Sequence, residues 1–141
     1  MSLLKQQNGD DYPEAANKHL QDGYVLLKGN RFDGAAYLAG YVVECAIKTL
    51  IQVETGSGVR SHEIVELQNT FSTLAAQFGA RTSRFYSPLA AQLKNSEVLK
   101  WAPEMRYHSP AITKNSAGEM VREANEIYGL VIGELILDGV I

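Results

Sequence analysis

Cysteine is almost missing from this sequence, whose 141 residues include one, Cys45. A lone thiol cannot close an internal disulfide, so the chain suits a reducing compartment. Cys45 also lies in the most apolar stretch, where a buried core cysteine is the expected role and a nucleophile is not. Histidine is scarce as well, with only His19, His62 and His108. These four residues are too scattered for a zinc site. No pair of Glu-x-x-His motifs occurs of the kind that di-metal carboxylate bundles need. No metal and no cofactor is therefore expected.

Other motifs are missing too. There is no G-x-x-x-x-G-K-[ST] phosphate loop. Gly56-Ser57-Gly58 has neither the spacing nor the strand context of a hydrolase nucleophile elbow. No segment alternates apolar and polar residues for long enough to build a sheet. No basic and then apolar leader opens the chain, and the C-terminal run "LVIGELILDGVI" carries Glu134 and Asp138 and is too short to span a bilayer. Membrane and secretory classes are set aside, and a cytoplasmic location is the expectation.

What is present is an ordinary globular mixture, 45% hydrophobic and 21% charged, long enough for one domain with a proper core. The net charge of −3 argues against a generic nucleic-acid binder. The charge is uneven, however. Residues 81–114 hold Arg81, Arg84, Lys94, Lys100, Arg106 and Lys114 against only Glu97 and Glu104, a local charge of +4, while the rest of the chain carries −7.

Helical spacing dominates the pattern. Residues 1–12 lack a sustained period and read as a flexible leader, and 13–141 read as one helical domain. Pro13 suits a first helical turn, and Ala16, Leu20, Tyr24 and Leu27 mark one buried face up to Gly29-Asn30. A second helix, from about Arg31 to Glu54, is apolar around most of its circumference and should be central. Its Ala36 and Gly40 would admit a neighbouring helix closely. Ser61 is the expected cap of a third helix whose inward residues run from Ile64 to Phe78, ending at Gly79. A shorter helix restarts at Ser87-Pro88, and Pro103 and Pro110 bracket a non-helical connection. Ser116 and Glu119 form a capping box for the last helix, with Met120, Ala124, Ile127, Val131 and Leu135 inward and Glu119, Arg122, Glu123 and Glu126 in water. The expected fold is all-α: an antiparallel, up-down bundle of four longer helices plus a shorter one.

The second helix carries an anomaly. Tyr37, Tyr41, Glu44 and Lys48, spaced four, three and four apart, share one stripe of an otherwise apolar helix. Such a line faces solvent, or meets polar groups in a ligand cleft or at a subunit interface. Burying the Glu44–Lys48 pair breaks even at best, because desolvating both charges is costly.

Three segments, "AANKHLQDGYVLLKGNRFDGAAYLAGYVVECAIKTLI", "SHEIVEL" and "WAPEMRY" before a long final helix, together resemble a HEPN domain. The resemblance covers most of residues 13–138 and is strongest in "YLAGYVVECAIKTLI". It implies a small helical bundle, often dimeric through its central helices, which makes Tyr37, Tyr41, Glu44 and Lys48 candidate interface residues. It also implies one of two roles. Some members are metal-independent ribonucleases, often the toxins of toxin–antitoxin pairs. Others accompany a minimal nucleotidyltransferase or bind nucleotide or RNA.

The ribonucleases use an arginine with a histidine after four to six intervening residues, so that imidazole takes a proton from a 2′-hydroxyl while guanidinium holds the phosphate. No arginine here has a histidine at that spacing; Arg106 to His108 and Arg60 to His62 each enclose one residue. Arg106-Tyr107 instead matches a pair seen in many non-nuclease relatives, and His62 matches a histidine that relatives often carry. The reading is a non-catalytic nucleotide- or RNA-binding homodimer acting beside a minimal nucleotidyltransferase, with Arg106, Tyr107, Lys48, Glu44 and His62 as ligand-binding candidates. The alternatives are a ribonuclease toxin using a displaced Arg106/His108 pair and a pure protein-interaction module.

Overall fold

The Asp11 carboxylate accepts a hydrogen bond from the Glu14 backbone N–H (3.3 Å) and so starts the first helix, in a computed structural model that describes residues 1–141. This helix, α1 (Tyr12–Lys28), holds Pro13 in its first turn, where a missing N–H costs nothing. Asn30, at a φ of 59°, reverses the chain into α2 (Phe32–Thr55). Gly56, at a φ of +73°, closes α2 in the left-handed region that glycine tolerates best.

α2 is the central helix, packed against α1, α3 (Ile64–Ala75) and α5 (Lys114–Tyr128). By length and composition alone it is apolar enough to cross a membrane, yet 78% of its most apolar window is buried against the rest of the chain. The core gathers Ala16 and Leu20 of α1, Val43, Ile47 and Leu50 of α2, Leu67 and Phe71 of α3, and Met120, Ala124 and Ile127 of α5. Between α3 and α5 run α4 (Tyr86–Leu93) and 3-10 turns at Ser83–Phe85, Glu97–Lys100 and Pro103–Tyr107. After α5 a π turn (Gly129–Gly133) leads into α6 (Glu134–Leu137), and the joints keep right-handed helical torsions, so one rod carries on to Leu137. The result is all-helical: four longer helices and the shorter α4.

Several local expectations give way to the structure. Thr113, not Ser116, caps α5; its side chain accepts from the Ser116 N–H (3.1 Å), while Glu119 turns to Arg122. Ser61 lies outside α3, which begins uncapped at Ile64. α3 stops at Ala75, four residues before Gly79, so Phe78 projects fully into solvent instead of inward. Pro103 starts a 3-10 turn where a non-helical connection was expected. Glu123 is buried, not wet, because its two carboxylate oxygens accept from the Glu97 and Val98 N–H groups at 2.9 and 3.0 Å. The close approach at Gly40 is made by an indole and not by a helix: a Cβ there would stand 2.1 Å from Trp101 Cγ.

Candidate functional site

The polar line of α2 divides at one helical turn into a charged half and an aromatic half. In the charged half, Glu44 and Lys48 are both buried within the single chain, with Nζ 2.7 Å from Oε1. His62, on the loop entering α3, brings Nδ1 to 3.0 Å from the same oxygen. A carboxylate paired with an ammonium only accepts, so Nδ1 carries the proton and Nε2 is left for other work. The second oxygen, Oε2, is buried without a donor. The Lys48 ammonium also lies 5.5 Å from the centroid of the Tyr12 ring, a cation–π distance. Tyr12 in turn pins the His62 loop, its hydroxyl accepting from the Val59 N–H and donating to the Val59 carbonyl.

This half of the line backs a cleft of about 770 Å³ between residues 9–18 and the Val59–His62 loop. Cys45 and Lys48 contribute from α2, and Lys18, Arg60 and His62 bring positive charge or hydrogen-bond donors to the margin. The Cys45 thiol is pushed up to about 12, first by burial and then by the Glu44 charge, so it is no nucleophile near neutral pH. No group of three or more His, Cys, Asp or Glu side chains gathers to hold a metal ion.

In the aromatic half, Tyr37 and Tyr41 join hydroxyls at 3.0 Å. The Tyr41 ring lies edge-on to Tyr37 and to Trp101, at centroid distances of 5.0 and 4.9 Å, a favoured aromatic geometry. The Trp101 Nε1–H donates to the Tyr37 carbonyl at 2.9 Å, which fixes the 101–107 segment on α2. Burial, then the hydrogen bond to Tyr37, raises the Tyr41 phenol to about 12. Across the α1 boundary His19 sits 5.5 Å from Tyr41. Burial, followed by the neighbouring Lys18 charge, lowers its pKa, and its Nδ1 has no partner.

Arg106 extends this half outwards. Its guanidinium lies 4.8 Å from the centroid of the exposed Tyr107 ring. Its closeness to the Tyr107 phenol, and next to that of Tyr37, raises its pKa still further above the ordinary arginine value. None of the salt bridges in the molecule includes it. An exposed, always-charged planar group beside an exposed aromatic ring is equipped to hold a phosphate and stack a base.

Of the residues singled out from the sequence, Glu44, Lys48 and His62 meet in one network and Tyr37, Tyr41, Arg106 and Tyr107 in a second. His108 joins neither: it is exposed, and its backbone N–H to the Met105 carbonyl (3.1 Å) is its one hydrogen bond. Trp101, Tyr12 and His19 were not among the site residues expected from the sequence. Gly40 was the available signal for Trp101, since a glycine inside an apolar helix marks a close approach. Nothing local marks Tyr12.

A family model described as HEPN domain matches residues 10–135. No curated protein and no solved structure matches the chain.

Proposed function

This chain belongs to the HEPN domain family, and on that premise we propose that it is a non-catalytic member, a homodimer that binds RNA or nucleotide phosphate at the Arg106–Tyr107 turn. The observation that carries this reading is the free guanidinium of Arg106, charged, exposed, outside every salt bridge and set beside the Tyr107 ring. Phosphate oxygens pair with the guanidinium fork, and an unstacked base lies on the Tyr107 ring. The excess of basic residues along 81–114, +4 as a sequence count, favours a phosphodiester backbone despite the negative whole.

Two copies meet along the half-buried Tyr37–Tyr41 end of α2, the part of the polar line that its own chain leaves partly uncovered. A minimal nucleotidyltransferase is the proposed partner, on the strength of the family resemblance. The absence of a histidine separated from any arginine by four to six intervening residues favours binding over strand cleavage.

The test is fluorescence anisotropy with a labelled short single-stranded RNA at low and high salt, with sedimentation of the free protein. Binding should weaken with salt as phosphate contacts do, and Arg106→Ala should weaken it about tenfold. Absence of binding at low salt removes the ligand half of the proposal. A monomer at every concentration removes the dimer half.

A further inference from the structure

We propose that the apolar notch between the start of α3 and the 101–104 segment docks a basic peptide segment of a partner protein. One apolar side chain of the partner sits in the notch, and a lysine or arginine beside it faces Glu63 and Glu104. The walls of the notch are Ile64, Val65, Leu99, Trp101 and Pro103. Its volume of about 220 Å³ lies below the ~300–1,000 Å³ of small-molecule sites. A single side chain fits there and a nucleotide does not.

Charge selects the partner. The only charged side chains lining the notch are Glu63 and Glu104, both exposed and both outside every salt bridge. Lys100, next to Trp101, is balanced by Glu97 at 2.9 Å, and His62 is turned to Glu44. Arg106, two residues past Glu104, lies over its own Tyr107 ring and outside the lining. With Glu66 in the first turn of α3, the carboxylates around the notch still outnumber that cation. The notch therefore repels phosphate and attracts lysine or arginine.

The notch is also formed before a partner arrives. Its Trp101 wall is held by the indole N–H bond to the Tyr37 carbonyl (2.9 Å) and fills the space that Gly40 leaves, so binding has little ordering left to impose. Val65, a branched apolar side chain on the other wall, is 54% exposed and open to cover. α3 begins without a side-chain cap, so the N–H groups of its first turn are open and a peptide's carbonyl oxygens can accept from them. A peptide brings apolar side chain, cation and carbonyl together, as a simple amine does not.

Panning a random-peptide phage library on the whole chain, followed by anisotropy titration of the selected peptides, tests the assignment. Those peptides should share one apolar residue flanked by lysine or arginine, and their binding should weaken with salt. Glu63→Gln/Glu104→Gln should lose about three- to tenfold in affinity, and Val65→Ser about fivefold. All three positions are exposed, and circular dichroism with Trp101 emission checks that each variant keeps its fold. No enriched peptide, an enriched peptide without basic residues, or full-strength binding in either variant overturns the site. Failure of RNA binding with the peptide site intact counts only against the Arg106 proposal.

Discussion

Glu44 and Lys48 lie on the same stripe of the same helix as Tyr37 and Tyr41, one turn further along, yet the two halves have opposite fates. The charged half is covered: Tyr12 and the His62 loop lie over it. The aromatic half stays partly open, supported from below by Trp101 and bordered by an exposed guanidinium. Helical spacing decides which side chains share a line, and segments far along the chain decide what covers them. Charge therefore ended up inside and phenols at the edge, the reverse of a hydropathy expectation.

The sharpest way to break this contrast is to remove one charge from the covered half. Lys48→Ala leaves Glu44 buried with only His62 as a partner, and unfolding in urea should show a loss of about 3–5 kcal/mol. Replacing both at once, as Glu44→Gln/Lys48→Met, should recover most of that loss, since a neutral pair of similar volume has no buried charge to desolvate. If Lys48→Ala costs no more than an exposed lysine does, the pair is solvated and the two halves do not differ.

Next in size is the seam between the halves. Gly40→Ala places a methyl 2.1 Å from Trp101 Cγ, so the indole must leave its slot and release the Tyr37 carbonyl. Overpacking of this kind costs about 1–3 kcal/mol. Tryptophan emission should shift to the red, because Trp101 is the single tryptophan. An unshifted spectrum would mean that the slot is looser than its geometry.

How much of this was legible beforehand follows from range. The helices and the centrality of α2 could be read because periodicity is local, and the four-three-four spacing placed the polar line on one stripe. The cover was not legible. Trp101 reaches Tyr37 across 64 residues, and Tyr12 reaches Val59 across 47. Glu123 looked like a solvent-side residue by its helical position, yet two backbone N–H groups of a 3-10 turn claim it. Ser116-x-x-Glu119 satisfied a capping pattern and lost to Thr113, three residues ahead of the cap that the pattern assumed. Short motifs name a chemical possibility; the competition for it is settled by neighbours that the motif does not contain.

Both halves also share an alkaline weakness. Cys45 beside the charged pair and Tyr41 in the aromatic half each hold a proton in the folded state up to about pH 12, whereas their ordinary values are 9.0 and 10.0. The unfolded chain releases those protons first, so the folded state binds more of them in that window, and stability falls as pH rises. The contribution is complete below about pH 9. It is lost as pH climbs to about 12, first through Cys45 and then through Tyr41. The urea midpoint should fall across that range and flatten at its lower end in Cys45→Ala. A flat profile in wild type would mean that neither group is shielded.

The smallest effect isolates the aromatic half alone. Tyr37→Phe removes one hydroxyl and keeps both rings, so the edge-on stacking at 5.0 Å and the Trp101 hydrogen bond to the Tyr37 backbone survive. What goes is the 3.0 Å hydroxyl pair. Because the pair is only half-buried, its loss should cost about 0.5–1 kcal/mol, and water can take the vacated place. The informative readout is the tyrosinate titration. Without the Tyr37 hydrogen bond, the second-largest cause of the raised value, the Tyr41 phenol should ionise below about 12 yet stay above its ordinary 10.0, because burial acts first. A return all the way to the ordinary value would make the hydroxyl pair, and not the cover supplied by Trp101, the feature that sets the aromatic half apart.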